Sequence, residues 1–297
     1  MPAFQFPGLN LALATPFDAA GSIDHARLER NIESYLAAGV KSFVLSSGTG
    51  MHVYLSADES RKLVEHGAKI IKGRAKIIVQ TSALMVDDVF ERTGHAKGCG
   101  ADGVMVLPPF FEGATEDDEL VAFYAKVASA GLPVIGYNVP QAVGVAITPQ
   151  LLNKLFEIPN FCSVKDSSGD LAQQANLIRT GHPVMNGADS LVPYALYAGC
   201  SGLIWGGANF APRTCLAMVA AATAHKWEEA RKLWDMLAPA MSLIWEGDYV
   251  KKVYAAAEIM GYGAGQPRRP LSVLSSHAEP ALRMALQGLV QSEKSLS

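Results

Sequence analysis

Near its middle the chain reads Asn160-Phe161-Cys162-Ser163-Val164-Lys165-Asp166-Ser167-Ser168-Gly169-Asp170. An apolar, β-prone run ends there in a single lysine, and the Ser, Gly and Asp residues that follow are typical of a helix start. A lysine at the end of a buried strand must either pair with an opposite charge or be uncharged. Because an uncharged amine attacks carbonyl carbons, the stretch indicates either a nucleophilic Lys165 or a salt-bridged structural lysine.

A second strand-to-loop junction lies upstream, at Val134-Ile135-Gly136-Tyr137-Asn138-Val139-Pro140. If both strands belong to one parallel barrel, Tyr137 and Lys165 open onto the same mouth, because the carboxyl ends of all the strands meet there. A phenol that exchanges protons beside a nucleophilic amine is the combination that imine chemistry on a keto acid needs. The alternative is that Tyr137 is only a packing aromatic.

Strand-like and helix-like runs alternate through most of the chain, and several of the strands are apolar on both faces. Continuous apolar strands joined by helical crossovers indicate a parallel sheet that is covered on both sides. Eight strand–helix units in about 220 residues favour a closed (β/α)8 barrel, the TIM-barrel fold, over an open doubly wound sheet. The predicted strands are 9–14, 42–46, 76–80, 103–107, 132–137, a run that ends at Lys165, 183–186 and 202–205.

Local signals place several helix starts. Ser56 and Glu59 have the spacing of a capping box, and Thr115 is a predicted N-cap. Thr148-Pro149 is a predicted N-cap followed by a proline in the first turn.

From about residue 224 the chain reads as helical, with a last helix near 280–290. We therefore predict two domains, a (β/α)8 barrel with the active site over 1–223 and a C-terminal helical extension over 224–297. The glycine-rich run 261–265 follows a helix rather than a strand, so it indicates a turn and not a nucleotide-binding loop.

The composition excludes several classes of protein. A net charge of −3 and the lack of a long basic run give no general attraction to nucleic acid or to an anionic membrane, and no stretch is long enough to span one. The N-terminus lacks an export signal and the four cysteines are scattered, so we expect a reduced, cytoplasmic protein. The seven histidines are dispersed without metal-ligand spacing, and we expect neither a metal nor another cofactor.

A possible anion site follows the second predicted strand, at Gly48-Thr49-Gly50. In a glycine-containing turn, backbone N–H groups and a hydroxyl can converge on a carboxylate. A tight turn without a ligand explains the same residues. The binding interpretation gains support only because Lys165 and Tyr137 are predicted to share the same mouth.

The order of motifs along nearly the whole chain resembles the dihydrodipicolinate synthase / N-acetylneuraminate lyase family. The motifs are Thr15-Pro16-Phe17, Ser47-Gly48-Thr49-Gly50, Pro108-Pro109-Phe110-Phe111, Tyr137-Asn138-Val139-Pro140, Lys165-Asp166-Ser167-Ser168-Gly169-Asp170, Gly187-Ala188-Asp189 and Arg269-Pro270-Leu271. The resemblance implies a barrel with a C-terminal helical domain, assembled as a homo-oligomer, usually a tetramer and otherwise a dimer.

The resemblance also implies roles for individual residues. Lys165 is expected to form a Schiff base with pyruvate or another 2-keto acid, and Tyr137 to relay protons. Thr49 and the amides of Gly48 and Thr49 are expected to hold the carboxylate, and Ile204 to line the pocket. The remaining expected substrate-binding residues are Ser167, Gly187 and Asp189, of which Ser167 and Asp189, together with Ser190, would bind hydroxyl groups.

Three departures from the family pattern bear on the substrate. Gly48 stands where dihydrodipicolinate synthases usually carry a threonine, Phe111 where they carry a tyrosine, and Ala142 where an arginine binds the carboxylate of the second substrate. Neither hydrogen nor methyl replaces the bidentate contact of a guanidinium with a carboxylate. Dihydrodipicolinate synthase activity is therefore not expected. Trp205 and Phe110-Phe111 suggest a partly aromatic pocket.

Three functions stay open at this point. The first is a class I lyase, an aldolase that breaks or forms a C–C bond between a 2-keto acid and an aldehyde through a lysine imine. The second is a dehydratase that uses the same imine to expel water from a keto-deoxy sugar acid. The third is a weakly catalytic barrel that serves ligand binding.

Overall fold

The computed structural model describes residues 6–296 of the chain. Within them, eight parallel strands close into a barrel in chain order, and β1 pairs with both β2 and β8. This confirms the predicted (β/α)8 barrel. The strands are β1 (Gly8–Ala12), β2 (Ser42–Leu45), β3 (Lys76–Gln80), β4 (Gly103–Val106), β5 (Val134–Asn138), β6 (Phe161–Asp166), β7 (Val184–Asn186) and β8 (Gly202–Trp205).

Helices surround the barrel and continue beyond its last strand. Nine of them precede residue 224, and three more form the C-terminal segment within the described residues. They are α1 (His25–Ala37), α2 (Ala57–Ile71), α3 (Val86–Gly98), α4 (Asp117–Ala128), α5 (Pro140–Val143), α6 (Pro149–Leu155), α7 (Leu171–Ile178), α8 (Val192–Tyr197), α9 (Pro212–Thr223), α10 (Trp227–Trp245), α11 (Tyr249–Ile259) and α12 (Glu279–Ser295). No helix of residues 6–296 combines the length and the apolarity that a membrane crossing requires.

Most of the predicted helix starts are confirmed. Ser56 and Glu59 form the capping box of α2, and Thr148 caps α6 with Pro149 in its first turn. Thr115 is not a cap, because the chain is still outside the helix there. Glu116 is the N-cap of α4 and shares a capping box with Glu119, which is the same reciprocal chemistry one residue later.

Strand ends differ from the predictions by one or two residues at the barrel mouth. β1 stops at Ala12 rather than at residue 14, whereas β5 continues to Asn138 and β6 to Asp166. Tyr137 and Lys165 are therefore the penultimate residues of their strands. Because successive side chains alternate across a strand, both of them face the barrel interior while their last neighbours face the helices.

The same alternation corrects the expectation for Trp205. Ile204 belongs to the cluster that fills the barrel interior, so its neighbour Trp205 points outward and is only 1% exposed among the side chains beneath the helices. Trp205 therefore lies outside the pocket. The alternation of side chains along β8 places Trp205 on the outer face of the barrel, and its aromatic character does not change this.

A buried belt of polar side chains ties the ends of β5, β6 and β7 together. Asn138 Nδ2 donates to Asp166 Oδ1 at 2.7 Å, and Asn138 Oδ1 accepts the amide of Ile147 at 2.8 Å. Gln174 Nε2 of α7 donates to Asp166 Oδ2 at 3.3 Å and to Asn186 Oδ1 at 3.0 Å. Asp166 is thus the centre of this belt and not a helix cap, a role that belongs to Asp170.

The C-terminal helices are fastened directly to the barrel. Tyr254 of α11 donates to the carbonyl of Thr15 at 2.7 Å, just beyond β1. On α12, the buried carboxylate of Glu293 accepts the amide of Thr214 at 2.7 Å and the hydroxyl of Tyr262 at 2.8 Å. These bonds place the N-terminal end of α11 over the barrel mouth.

Replacement of Asn138 by alanine removes the belt partner of Asp166 and leaves two buried polar groups without a hydrogen bond. We expect Asn138→Ala to lower the free energy of unfolding by about 2 kcal/mol. Urea denaturation followed by circular dichroism measures this. Asn176→Ala, at an exposed position of α7, is the control and should change the value by less than about 0.5 kcal/mol. An equal effect of the two substitutions would contradict the role of the belt.

Candidate active site

A cavity of about 300 Å³ opens at the carboxyl ends of the strands. It brings together seven of the residues that the sequence singled out, from five different strand ends and loops. The lining residues are Ala12, Ser47, Gly48, Thr49, Tyr137, Val139, Gln141, Ala142, Lys165, Ser167, Gly187, Ile204, Gly206, Trp245, Tyr249 and Val250. Asp189 lies directly behind this lining.

Lys165 and Tyr137 are paired across β5 and β6 in the sheet register. The Nζ atom of Lys165 lies 4.0 Å from the centroid of the Tyr137 ring, and the lysine is only 6% exposed. Among residues 6–296, no carboxylate oxygen lies within 4.0 Å of this nitrogen. Lys165 is therefore not a salt-bridged rim residue.

Gly187 gives the lysine its space. A Cβ atom at position 187 would overlap both Cε of Lys165 and Oγ of Ser167. The Ser167 hydroxyl is buried and has no hydrogen-bond partner within the described part of the chain. Since a buried hydroxyl without a partner is costly, Ser167 offers a vacant hydrogen-bonding group beside the amine.

The turn after β2 presents its amides to the cavity. Ser47 Oγ accepts the amide of Gly50 at 3.1 Å, and Met51 closes the turn in a left-handed conformation with φ of 61°. The amides of Gly48 and Thr49 donate to no other group of residues 6–296. Two free N–H groups in one turn suit a carboxylate. The hydroxyls of Thr49 and Tyr249 both lie beside the backbone of Gly206.

Asp189 is a buried carboxylate without a cationic partner. Its Oδ1 accepts the amide of Gly207 at 2.7 Å, and its Oδ2 accepts the hydroxyl of Tyr249 at 3.0 Å. Burial raises the pKa of Asp189 to about 6, against the opposing effects of these two hydrogen bonds and of the charge on Lys165. Both carboxylate oxygens are engaged within the protein, so Asp189 reaches the cavity through Tyr249.

The sequence reasoning missed the residues that the C-terminal helices contribute. Trp245, Tyr249 and Val250 close one side of the cavity, and the rings of Trp245 and Tyr249 meet edge to face with their centroids 6.3 Å apart. Helical spacing predicted only that this segment packs. The available signal was a pair of aromatic residues, Trp245 and Tyr249, on either side of the break between α10 and α11.

The aromatic residues that the sequence had suggested lie elsewhere. Phe111 is 81% exposed on the rim, with φ of 58°, and neither it nor Phe110 lines the cavity. The short helical turn that contains His52 holds that ring against Gln80, 3.0 Å from its Nε2. Burial lowers the pKa of His52 to about 4, so the ring is neutral at pH 7. His52 is outside the lining.

A metal site is not formed within the described residues. No group of three or more His, Cys, Asp or Glu side chains among them has the geometry to hold an ion. The cavity lining offers one amine, two phenols, three hydroxyls and two free backbone amides.

Comparison with known proteins gives a consistent picture. A model of the dihydrodipicolinate synthetase family matches residues 5–289. The 4-hydroxy-tetrahydrodipicolinate synthase of Exiguobacterium sibiricum is 33% identical over 272 residues, which cover 90% of this chain and 92% of the relative. That of Methanospirillum hungatei is 32% identical over 95% of this chain and 99% of its own length. The crystal structure of dihydrodipicolinate synthase from Acinetobacter baumannii complexed with pyruvate superposes with a TM-score of 0.91 at 28% identity, covering 96% of this chain and 99% of that one.

A methyl group at position 187 should displace the stem of Lys165 without disturbing the fold, because the overlapping atoms belong to side chains. We expect Gly187→Ala to lower reductive trapping of Lys165 by borohydride and pyruvate by about 10²-fold, as reactive groups displaced by about 1 Å commonly do. Intact-protein mass spectrometry measures the trapped fraction. Gly94→Ala, on α3 where no atom lies within 4 Å, is the control. Unchanged trapping in the 187 variant would contradict the packing argument.

Proposed function

The chain belongs to the dihydrodipicolinate synthetase family, and on that premise we propose that this lyase acts on pyruvate or a related 2-keto acid through an imine on Lys165. The reaction that the site supports best is the cleavage or formation of a C–C bond, with an aldehyde as the second reactant. The observation that carries the proposal is the environment of one nitrogen. Lys165 is almost wholly buried, has no carboxylate partner among residues 6–296, and lies over the ring of Tyr137.

Each step of imine chemistry has a candidate group in the cavity. The uncharged amine of Lys165 adds to the keto carbon, and the carbinolamine loses water to give an iminium ion. Tyr137 is the nearest hydroxyl-bearing side chain on the neighbouring strand, and we assign to it the proton transfers of these two steps. In the aldolase reaction the iminium then accepts the electron pair of the C3–C4 bond. That bond breaks while the C4 hydroxyl gives its proton back to Tyr137, which had given one to the departing water, and the aldehyde carbonyl forms.

The carboxylate of the keto acid fits the turn after β2. The free amides of Gly48 and Thr49 supply two hydrogen-bond donors at one end of the cavity, and Ile204 borders it from β8. We propose that these amides, together with the Thr49 hydroxyl in the same lining, hold the carboxylate. This orientation directs the keto carbon towards Lys165.

The other end of the cavity favours an uncharged aldehyde. Val139, Ala142, Trp245 and Val250 make it largely apolar, and among the lining residues Lys165 is the sole cationic side chain. A carboxylate on the second substrate would find no charged partner there, because Ala142 offers only a methyl group. We therefore propose an activity different from the one that names the curated relatives.

The free hydroxyl of Ser167 favours a second candidate, a dehydratase acting on a keto-deoxy sugar acid. Such a substrate carries hydroxyl groups, and Ser167 is a buried hydroxyl without a partner in residues 6–296. The two candidates share the imine and differ in the bond that breaks. Product analysis separates them, because only the aldolase releases a 2-keto acid and an aldehyde.

We further propose that the protein works as a homo-oligomer, a dimer or a tetramer, with the division into 1–223 and 224–297 as its domain plan. Exposed apolar side chains on the rim support self-association, since contiguous exposed apolar surface commonly marks an interface. Leu84, Met85 and Phe111 are 62%, 65% and 81% exposed.

Covalent trapping tests the imine. We expect borohydride with pyruvate to add one reduced pyruvate to the protein, at Lys165 by peptide mapping, and Lys165→Ala to abolish the addition. Lys41→Ala, at an exposed position, should leave it unchanged. A wild-type protein that gains no mass, or gains it at another lysine, would refute the proposal.

Removal of the Tyr137 hydroxyl tests the assigned proton transfers. Tyr137→Phe should slow 4-hydroxy-2-keto acid formation from pyruvate and an apolar aldehyde by about 10²–10⁴-fold, the usual contribution of a general acid or base. Chromatographic product assays measure the rate, and Tyr197→Phe, at a residue 76% exposed, is the control. An unaffected rate would remove Tyr137 from the mechanism.

A further inference from the structure

A hydrogen bond joins the cavity lining to a buried carboxylate. Tyr249, the first residue of α11, donates to Oδ2 of Asp189 at 3.0 Å, and Asp189 lies in the short helical turn after β7 (Asp189–Leu191). Tyr249 lines the cavity, whereas Asp189 is only 1% exposed. The Tyr249–Asp189 pair therefore connects the cavity to a buried carboxylate.

The backbone at Gly206 leaves room for the Tyr249 hydroxyl. A Cβ atom at position 206 would overlap the hydroxyl oxygen of Tyr249 and lie 2.9 Å from Oγ1 of Thr49. At the next residue, the Gly207 amide donates to the other oxygen of Asp189 at 2.7 Å. The position of the Tyr249 hydroxyl therefore depends on the absence of a side chain at 206.

The buried carboxylate of Asp189 can take up a proton. It has no cation within 4.0 Å among residues 6–296, and a buried carboxylate without a cation is costly for stability. Burial raises the pKa of Asp189 to about 6, close to the working range of a general base. Burial and Asp189 together hold the pKa of Tyr249 well above its usual range, so the phenol stays protonated and passes protons rather than ionising.

We propose that the Tyr249–Asp189 pair takes and returns the proton at C3 of the imine, a role separate from that of Tyr137. This inference rests on the proposed function, because it needs the imine on Lys165. It divides the proton transfers between two groups. Tyr137 serves the formation of the imine and the C4 hydroxyl, and the Tyr249–Asp189 pair serves C3.

The transfer balances without any further reactant. The C3–H bond breaks, and its electron pair becomes the new C2–C3 double bond while the C2–N π pair returns to nitrogen, which converts iminium to enamine. The released proton goes to the hydroxyl oxygen of Tyr249 as the Tyr249 proton goes to Asp189. The enamine carbon regains a proton by the same path in reverse, from protonated Asp189 through Tyr249.

Exchange of the pyruvate methyl protons measures this step without knowledge of the aldehyde. In deuterium oxide, each return from enamine to imine places deuterium on C3, and proton NMR follows the loss of the methyl signal. Tyr249→Phe removes the hydroxyl that links the cavity to Asp189 and should slow deuterium exchange at the pyruvate methyl group by about 10²-fold. Borohydride trapping of pyruvate on Lys165 should persist in this variant, because the amine and Tyr137 are untouched.

Asp189→Asn provides a second variant with a different readout. An amide keeps the shape of the side chain but accepts no proton. The ionisable groups that face Asp189 are Tyr249 on α11, Lys165 on β6 and the thiol of Cys215 on α9. In the wild type, exchange should rise with pH through about 6 as the carboxylate form appears, and Asp189→Asn should lose that rise.

Tyr197→Phe is the control. Tyr197 is 76% exposed at the end of α8 and lies outside the cavity lining. It should keep both the exchange rate and the pH profile. Two results would overturn the proton relay alone. The first is that Tyr249→Phe keeps both the trapping and the wild-type exchange rate. The second is that Asp189→Asn keeps the rise of exchange with pH. Absence of trapping in the wild type would overturn the proposed function and the relay with it.

Discussion

The proposed site depends on a nearly buried amine that no carboxylate oxygen of residues 6–296 contacts. Lys165 is only 6% exposed, and the buried carboxylate of Asp189 directs its two oxygens to the Gly207 amide and the Tyr249 hydroxyl. A carboxylate in contact with the lysine would favour the ammonium form, which is not a nucleophile. The hydrogen bonds to Asp189 thus serve Lys165 indirectly, because they hold the negative charge apart from it.

This arrangement needs the strand ends to be fixed to within a fraction of an ångström. The belt centred on Asp166 joins β5, β6 and β7 through Asn138, Gln174 and Asn186, directly beneath Tyr137 and Lys165. Because the belt residues and the cavity residues alternate along the same strands, one set holds the sheet while the other faces the substrate. The pleat of the sheet thus places the structural side chains and the cavity side chains on opposite faces of the strands.

The departures from the family pattern form a coherent set. Ala142 takes a charge away from the far end of the cavity, and Trp245 and Val250 make that end apolar. Gly48 takes a hydroxyl away from the turn after β2, where only the Thr49 hydroxyl then remains beside Tyr249. Lys165 and Tyr137, which carry the proposed imine chemistry, are kept, whereas Ala142 lies where the second reactant is proposed to bind. The chain retains the family fold.

The sequence by itself determined the barrel, the pairing of Tyr137 with Lys165 and the turn at Gly48 and Thr49. Each of these follows from a local period, since alternation, crossover length and strand-end position can be read within a few dozen residues. It did not determine which way Trp205 faces, where α4 begins, or that Phe111 lies on the rim, because a shift of one residue along the chain would change each of these.

Only the tertiary structure decided that Tyr249 and Trp245 enter the cavity and that Asp189 binds Tyr249 rather than solvent. Residues 189 and 249 are brought together by the docking of α11 over the barrel mouth, through bonds such as that from Tyr254 to the Thr15 carbonyl. No local pattern encodes a contact between segments so far apart in the chain. It arises from the packing of one amphipathic helix against a surface that exists only after the barrel has closed.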